Sequence, residues 1–355
     1  MLALVLTASI SFALCTILLQ ILIKNATSLR LIDEPGGRKH HQAPTPLVGG
    51  LAIGASAFSA ILWPEVMTSN LIWFWPALFV LLITGLYDDR HELSPKKRLI
   101  TQIVASLIMA VLADVSITSL GDIYGIGPIQ LIALSIPVTI FAVLSAINAF
   151  NMIDGLDGLA GGLAFIPLTI LSAIAAKAEL WPQAILSGAF AAALFSFLLI
   201  NYRFPWTSRA KAFLGDTGST TLGFAIAWLL VSSSESSLIS PVTALYLIAI
   251  PLLDTAAVMF RRKINGRPLM EPGRDHLHHI LRQSGLSVTS TVTAIHSIAL
   301  LLAAIGLTLS ALRIPEFISF GGFCMLLLVF VWFTSKRNDA IASGMLKPMQ
   351  QDSLG

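Results

Sequence analysis

Along this chain the apolar residues come in long unbroken blocks, and the polar residues gather in short stretches between them. About 20 apolar residues in a helix cross the hydrocarbon core of a bilayer. By that measure the pattern predicts about eleven spanning helices, over residues 2–23, 48–66, 70–87, 98–115, 129–149, 158–176, 180–201, 217–234, 241–260, 290–311 and 316–334. The first block lacks a charged leader and a small-residue cleavage site, so it reads as a first span and not as a removed signal peptide. The expected fold class is an all-α polytopic integral membrane protein. Residues 1–355 form one unit, with a tail at 335–355, no internal repeat and no low-complexity linker.

The positive charges orient this pattern. With the N-terminus on the periplasmic side, the cytoplasmic segments are 24–47, 88–97, 150–157, 202–216, 261–289 and the C-terminal tail. Counting a residue or two of helix end, they hold all 22 Lys and Arg except Lys177 and Arg313, as the positive-inside rule requires. Composition agrees: the chain is 55% hydrophobic and 12% charged, where a soluble domain carries about 25% charged residues. The net charge of +3 is therefore explained by topology and implies no nucleic-acid partner. Cys15 and Cys324 both lie in apolar runs and suggest neither a disulfide framework nor a thiolate metal site.

The carboxylates follow the same split. Asp88, Asp89, Asp154, Asp157 and Asp216 fall on cytoplasmic segments or their helix ends, whereas the longest opposite loop, 114–128, carries only Asp114 and Asp122. Ionisable groups at bilayer depth cost roughly 2.5–3.5 kcal/mol each near the centre, so they persist where they work. The densest stretch is NAFNMIDGLDGL, Asn148 to Leu159. Asn148, Asn151, Asp154 and Asp157 recur every three residues, so a helical turn can aim them one way. Gly155 and Gly158 let the backbone leave the helix or approach a ligand closely. A capped helix end explains one Asp, but not two Asp, two Asn and two Gly.

Four further segments carry polar chemistry on that side. The first loop, DEPGGRKHHQAPTPLVGG, places Arg38, Lys39, His40 and His41 between prolines, a composition suited to binding anions as well as to anchoring. GLYDDR sets Asp88 beside Asp89, a pair that repels unless a cation lies near. Mg²⁺, proton acceptance by one Asp, and a solvated acidic cap all fit it. KAFLGDTGSTTLG opens a span with Asp216 between glycines, which fits either a capping Asp or a phosphate site with a metal ligand. EPGRDHLHHILRQSG holds Arg274, His276, His278 and His279. Without a nearby cysteine or an HExxH pattern, phosphate contact or proton handling suits it better than structural zinc. His296 reads as a packing residue. Asp254, about 10 Å inside the ninth span, either pairs with a neighbouring helix or lines the site.

Acids, amides, histidines and a basic loop on one face suit a reaction between multiply charged reactants, one of them lipid-borne. Two like charges about 4 Å apart repel by roughly 4 kcal/mol at an effective dielectric near 20, so phosphate chemistry there needs neutralisation. From Asp33 to Gly285 the chain closely resembles the polyprenyl-phosphate N-acetylhexosamine-1-phosphate transferases. The likeness runs through RKHH…PLVGG, GLYDDR, INAFNMIDGLDGL, FLGDTGS, SPVTALYLIAIPLLD and RDHLHH, in family order. His-Leu-His-His with Ile-Leu-Arg after it departs from the three consecutive histidines of the muramoyl-pentapeptide branch and agrees with the N-acetylglucosamine branch.

The resemblance implies an eleven-span enzyme of the bacterial inner membrane, dependent on Mg²⁺ or Mn²⁺. N-acetylglucosamine 1-phosphate passes from UDP-GlcNAc to undecaprenyl phosphate with release of UMP, the first membrane step of O-antigen or enterobacterial common antigen type glycans. It also implies roles. Asp88, Asp89 and Asp216 would be catalytic, with Asp88 as base, and Asp216, Asp89 and Asp154 would hold the metal. Arg38, Lys39, His40, Asn148, Asn151, Asp154, Asp157, Arg274, His276, His278 and His279 would bind substrate. Another N-acetylated UDP-sugar as donor stays open, as does a homodimer. A proton-coupled transporter is disfavoured, because the acids sit at helix ends and no paired repeat is visible. A lipid-binding scaffold would leave the acids unexplained.

Overall fold

The computed structural model describes residues 1–35, 43–67, 70–203, 209–268, 273 and 275–342, with side chains to 337. Thirteen α-helices run through them: α1 (Leu2–Leu29), α2 (Gly49–Ala57), α3 (Phe74–His91), α4 (Pro95–Leu107), α5 (Ser135–Ile153), α6 (Leu159–Lys177), α7 (Trp181–Asn201), α8 (Gly215–Glu235), α9 (Pro241–Leu247), α10 (Ala249–Ile264), α11 (Leu277–Gln283), α12 (Val288–Ala311) and α13 (Glu316–Ala342). Two short strands, β1 (Ile32–Asp33) and β2 (Thr45–Pro46), pair antiparallel around the first loop.

A helix stands at every expected span, but they are not alike. Among the described residues seven stretches are long and apolar enough to cross a membrane, and α9 with α10, bent by 84°, makes up to eight. The bend has a local cause: Pro251 has no N–H to give the Leu247 carbonyl, and the helix breaks at Ile248. The other three expected spans depart for readable reasons. The segment 48–66 divides into α2 and a 3₁₀ turn at Phe58–Leu62. The segment 98–115 belongs to a helix that begins Pro-Lys-Lys-Arg and passes into a π-helical turn at Ile108–Leu112. The eighth opens with the polar run Gly-Asp-Thr-Gly-Ser-Thr.

The helices α7 and α8 occupy the interior. The first packs on α1, α2 and α6, the second on α2, α3, α5 and α6. Phe74 meets Trp228 edge-on at 5.2 Å and stacks on Phe224 at 5.9 Å, each such pair adding about 0.5–1.5 kcal/mol beyond its buried area. By contrast α1 and α13 turn Leu14, Ile17, Ile21, Met325, Leu328 and Trp332 outward, which suits contact with lipid tails. Backbone bonds then lock two distant motifs together. Phe213 N–H donates to Pro46, and the Gly49 and Gly50 amides donate to Phe213 and Leu214. A side chain at Gly50 would lie 2.1 Å from the Gly218 nitrogen, so only glycine lets α2 seat against the start of α8.

Candidate active site

The site grows from the end of α3. That helix stops at Glu92, whose left-handed backbone turns the chain toward Ser94 and α4. Asp88 is 4% exposed. One of its oxygens accepts the Leu93 amide at 2.6 Å, and the other pairs with Arg98 Nε at 2.6 Å. Asp88 thus fixes the α3–α4 corner and spends both oxygens doing so. Asp89 reaches the other way. Its Oδ1 accepts the Asp216 amide at 2.7 Å, while Oδ2 accepts the Thr217 hydroxyl at 2.5 Å and the Thr217 amide at 3.2 Å. It caps α8 from a neighbouring helix, satisfying amides that α8 itself leaves open.

Asp216, in the first turn of α8, is held in place by these bonds. Asn151 Nδ2 donates to its Oδ1 at 2.6 Å and to Ser219 Oγ at 3.0 Å, and Arg98 Nη1 lies 3.4 Å from its Oδ2. One third of the Asp216 side chain remains exposed. Three sequence segments far apart in the chain therefore converge on one carboxylate: GLYDDR through Asp89, NAFNMIDG through Asn151, and GDTG itself.

Beyond α5 the loop carries Asp154 and Asp157 in different states. Asp157 accepts from Arg203 Nε at 2.7 Å and from the Ala210 amide at 3.2 Å, fastening the α5–α6 loop to the α7–α8 connection. Asn201 ties the same two loops, accepting the Gly158 amide and donating to the Ala212 carbonyl. The Asp154 side chain makes no hydrogen bond or ion pair among the described residues, and it is exposed. Surrounding protein, and then the charges of Asp216, Asp89 and Asp157, push its carboxyl up to about 8. A cation bound beside it would favour its ionised form. Asn148, one turn earlier, faces elsewhere: its amide donates to Gln102 and to the Leu144 carbonyl, bridging α5 to α4.

The histidine segment covers the far side of that loop. His276 Nδ1 lies 2.8 Å from Asp254 Oδ2, and the Leu277 amide donates to Asp254 Oδ1 at 2.8 Å. Arg262 grips Asp275 with two bonds, at 2.8 and 3.1 Å, and Arg261 donates to the Asp275 carbonyl. Burial works to raise the Asp275 carboxyl, and the hydrogen bond and charge of Arg262 overcome it, holding it below the usual carboxylate range. The His278 ring is buried against Gly155, where a Cβ would lie 2.3 Å from its Nε2. Neither of its ring nitrogens has a hydrogen-bond partner among the described residues. Burial, then His279 and His276, hold the ring well below the ordinary histidine value, so it is neutral at neutral pH. His296, expected to pack, donates to the Leu159 carbonyl at 3.1 Å.

The structure thus gathers Asp89, Asn151 and Asp216 by direct contact. Arg98 links Asp88 to them, and Asp154 and Asp157 stand alongside. Asn148 is directed to α4, and Arg38, Lys39, His40 and Arg274 lie outside the described residues. One participant was not singled out in the sequence: Arg98, which stands there only in a basic run. Asp254, read as either pairing with a neighbour or lining the site, pairs with His276 and the Leu277 amide. Among the described residues no three or more acids, histidines or cysteines converge as a ready metal cage. Asp89 in particular is committed to α8, which leaves Asp216 and Asp154 as the oxygen donors a hard cation would meet.

Comparison with known proteins now decides the family. Residues 71–234, which contain GLYDDR, NAFNMIDGLDGL and FLGDTGS, match the model of glycosyl transferase family 4. The chain is 34% identical over 311 residues to the undecaprenyl-phosphate alpha-N-acetylglucosaminyl 1-phosphate transferase of Haemophilus influenzae, covering 86% of this chain and 87% of that one. Proteins of the same name from Pasteurella multocida and Escherichia coli O157:H7 are each 34% identical, covering 86% and 90% of this chain and 86% and 88% of their own. The chain belongs to glycosyl transferase family 4. Within that family-4 region fall Asp88, Asp89, Asn151, Asp154, Asp157 and Asp216, so the convergence on Asp216 is built wholly from it. Asp254 and the histidine segment lie beyond it.

Proposed function

We propose that this protein transfers N-acetylglucosamine 1-phosphate from UDP-GlcNAc to undecaprenyl phosphate, giving undecaprenyl-diphospho-GlcNAc and UMP. The observation that carries the reading is the partly exposed Asp216, held by Asn151 and by the Asp89-capped start of α8, with the exposed Asp154 on the following loop. The relatives' shared name supplies the substrates. We place the site on the cytoplasmic face of the bacterial inner membrane, under eleven crossings with the N-terminus periplasmic, because the positive charges gather on that side.

In this reading Asp216 and Asp154 would hold Mg²⁺, or Mn²⁺, through their carboxylate oxygens. When bound, the ion neutralises the diphosphate and makes its phosphorus easier to attack. The chain's own residues set the geometry. Asn151 orients Asp216, and Asp89 keeps the first amides of α8 in register. Asp88 holds Arg98 over Asp216, and because it is 4% exposed and both its oxygens already pair within the α3–α4 corner we assign it that positioning in place of proton abstraction. Asp157 secures the loop that faces the donor. An oxygen of the lipid phosphate forms a bond to the sugar-bearing phosphorus. The bond from that phosphorus to the bridging oxygen breaks, and its electron pair leaves with UMP.

The test is turnover by the purified protein with UDP-GlcNAc, undecaprenyl phosphate and Mg²⁺. Equal amounts of UMP and a lipid-diphosphate sugar are expected, abolished by chelation. Release of UMP only with another N-acetylated UDP-sugar would reassign the donor, and none with any would end the proposal.

A further inference from the structure

We propose that Asp254 is a positioning residue that acts through His276, holding the Nδ1 proton and fixing the ring so that the Nε2 lone pair accepts a hydrogen bond from a hydroxyl of the nucleotide-sugar. This rests on the functional reading above and goes beyond it, since that reading needs no acid inside α10. Asp254 is 1% exposed, and both its oxygens face donors: Oδ2 the His276 Nδ1 and Oδ1 the Leu277 amide, each at 2.8 Å. A buried carboxylate with two donors on it holds the Nδ1 proton of the imidazole, and this dictates which nitrogen is left for a ligand. Among the described residues Nε2 of His276 has no hydrogen-bond partner, and it is not among the sealed buried atoms.

The surroundings keep this ring beside the α5–α6 loop. The His276 ring lies nearly parallel to that of His278, with centroids 5.8 Å apart and 13° between planes. His278 in turn rests on Gly155, between the two acids of the α5–α6 loop. Asp254, Arg261 and Arg262 lie on α10 at spacings of seven and eight residues, so one helix face fastens the whole segment 275–277. The arginines hold Asp275 and its carbonyl, and Asp254 holds the His276 ring.

Asp254→Asn separates this role from a merely structural one. The amide oxygen can still accept from Leu277, while its NH₂ now faces Nδ1 and inverts the hydrogen bond. We expect kcat to fall roughly 10–100-fold, the scale seen when a carboxylate behind a histidine is lost, with Tm little changed. In a His276→Asn background the same substitution should change kcat less than about two-fold, the ordinary scatter between independent sites. An equal loss in both backgrounds would overturn the proposal. Imidazole ¹⁵N spectra of the full-length protein, assigned by comparison with His276→Asn, give a readout independent of turnover. Nδ1 of His276 should carry a proton, and UDP-GlcNAc should move the Nε2 signal in the wild type. An unprotonated Nδ1, or donor binding without that movement, would overturn it. A wild type that turns over no UDP-sugar would sink the functional reading alone, and the nitrogen assignments would still decide the pairing.

Discussion

Asn151 donates to Asp216 at 2.6 Å from the last turn of α5, and the same nitrogen reaches Ser219 at 3.0 Å. Through this pair, α5 sets the rotamer of the carboxylate at the head of α8. Asn151→Asp puts two like charges at hydrogen-bond distance, and Asn151→Ala leaves Asp216 free to swing. Turnover should fall by at least about 10²-fold in the Asp variant, the scale of a lost electrostatic contact at a reacting centre. The Ala variant should lose less. Initial rates of UMP release distinguish them, and an Asp variant as active as the wild type would remove Asn151 from the site.

Asp89 accepts three donors from the start of α8, so its removal should weaken the fold as well as activity. Losing a helix cap costs about 0.5–2 kcal/mol. Asp89→Ala should therefore lower Tm in detergent, and Asp89→Asn, which keeps one accepting oxygen, should lower it less. An unchanged Tm in the Ala variant would show that the cap is dispensable.

Asp88 and Arg98 should behave as one unit. If Asp88 acts by holding Arg98 over Asp216, Asp88→Asn and Arg98→Gln lower kcat by similar factors, and the double variant loses little more than either alone. A proton-abstracting Asp88 gives the opposite pattern, in which the Arg98→Gln loss multiplies that of Asp88→Asn.

His278 is neutral and buried, with its folded-state value held well below the ordinary one. The unfolded chain then binds a proton that the folded chain refuses, so stability falls as pH drops below about 6.5. His278→Asn loses packing but also this acid sensitivity. The Tm advantage of the wild type should shrink between about pH 7.5 and pH 5.5; a constant difference would place the pH dependence elsewhere among the seven histidines.

Much of the site was legible because membrane burial makes polar residues informative. The apolar blocks and the charge asymmetry were enough to put Asp88, Asp89, Asp154, Asp157 and Asp216 together on one side. What each carboxylate does was not legible, since it depends on partners far along the chain. Asp89 caps a helix through the Asp216 amide, 127 residues away, and Asp254 finds His276 only after the loop folds back. The three-residue recurrence from Asn148 suggested one shared face, yet Asn148 turns to Gln102 on α4, because the helix and its neighbour leave that position outside the cleft. Span boundaries blurred for the same reason: α2, α4 and α8 have helix ends whose short turns or polar residues trade apolar length for site geometry.

The central claim is transfer of a phosphosugar, and the fate of the two donor phosphorus atoms tests it most directly. Purified protein is given undecaprenyl phosphate, Mg²⁺ and UDP-GlcNAc labelled at either the α- or the β-phosphorus. The β label should appear in the lipid product and the α label in UMP, with Asp216→Asn slowing both by at least about 10²-fold. Label at both positions remaining together in UDP, or an Asp216→Asn variant that labels lipid at the wild-type rate, would contradict the account.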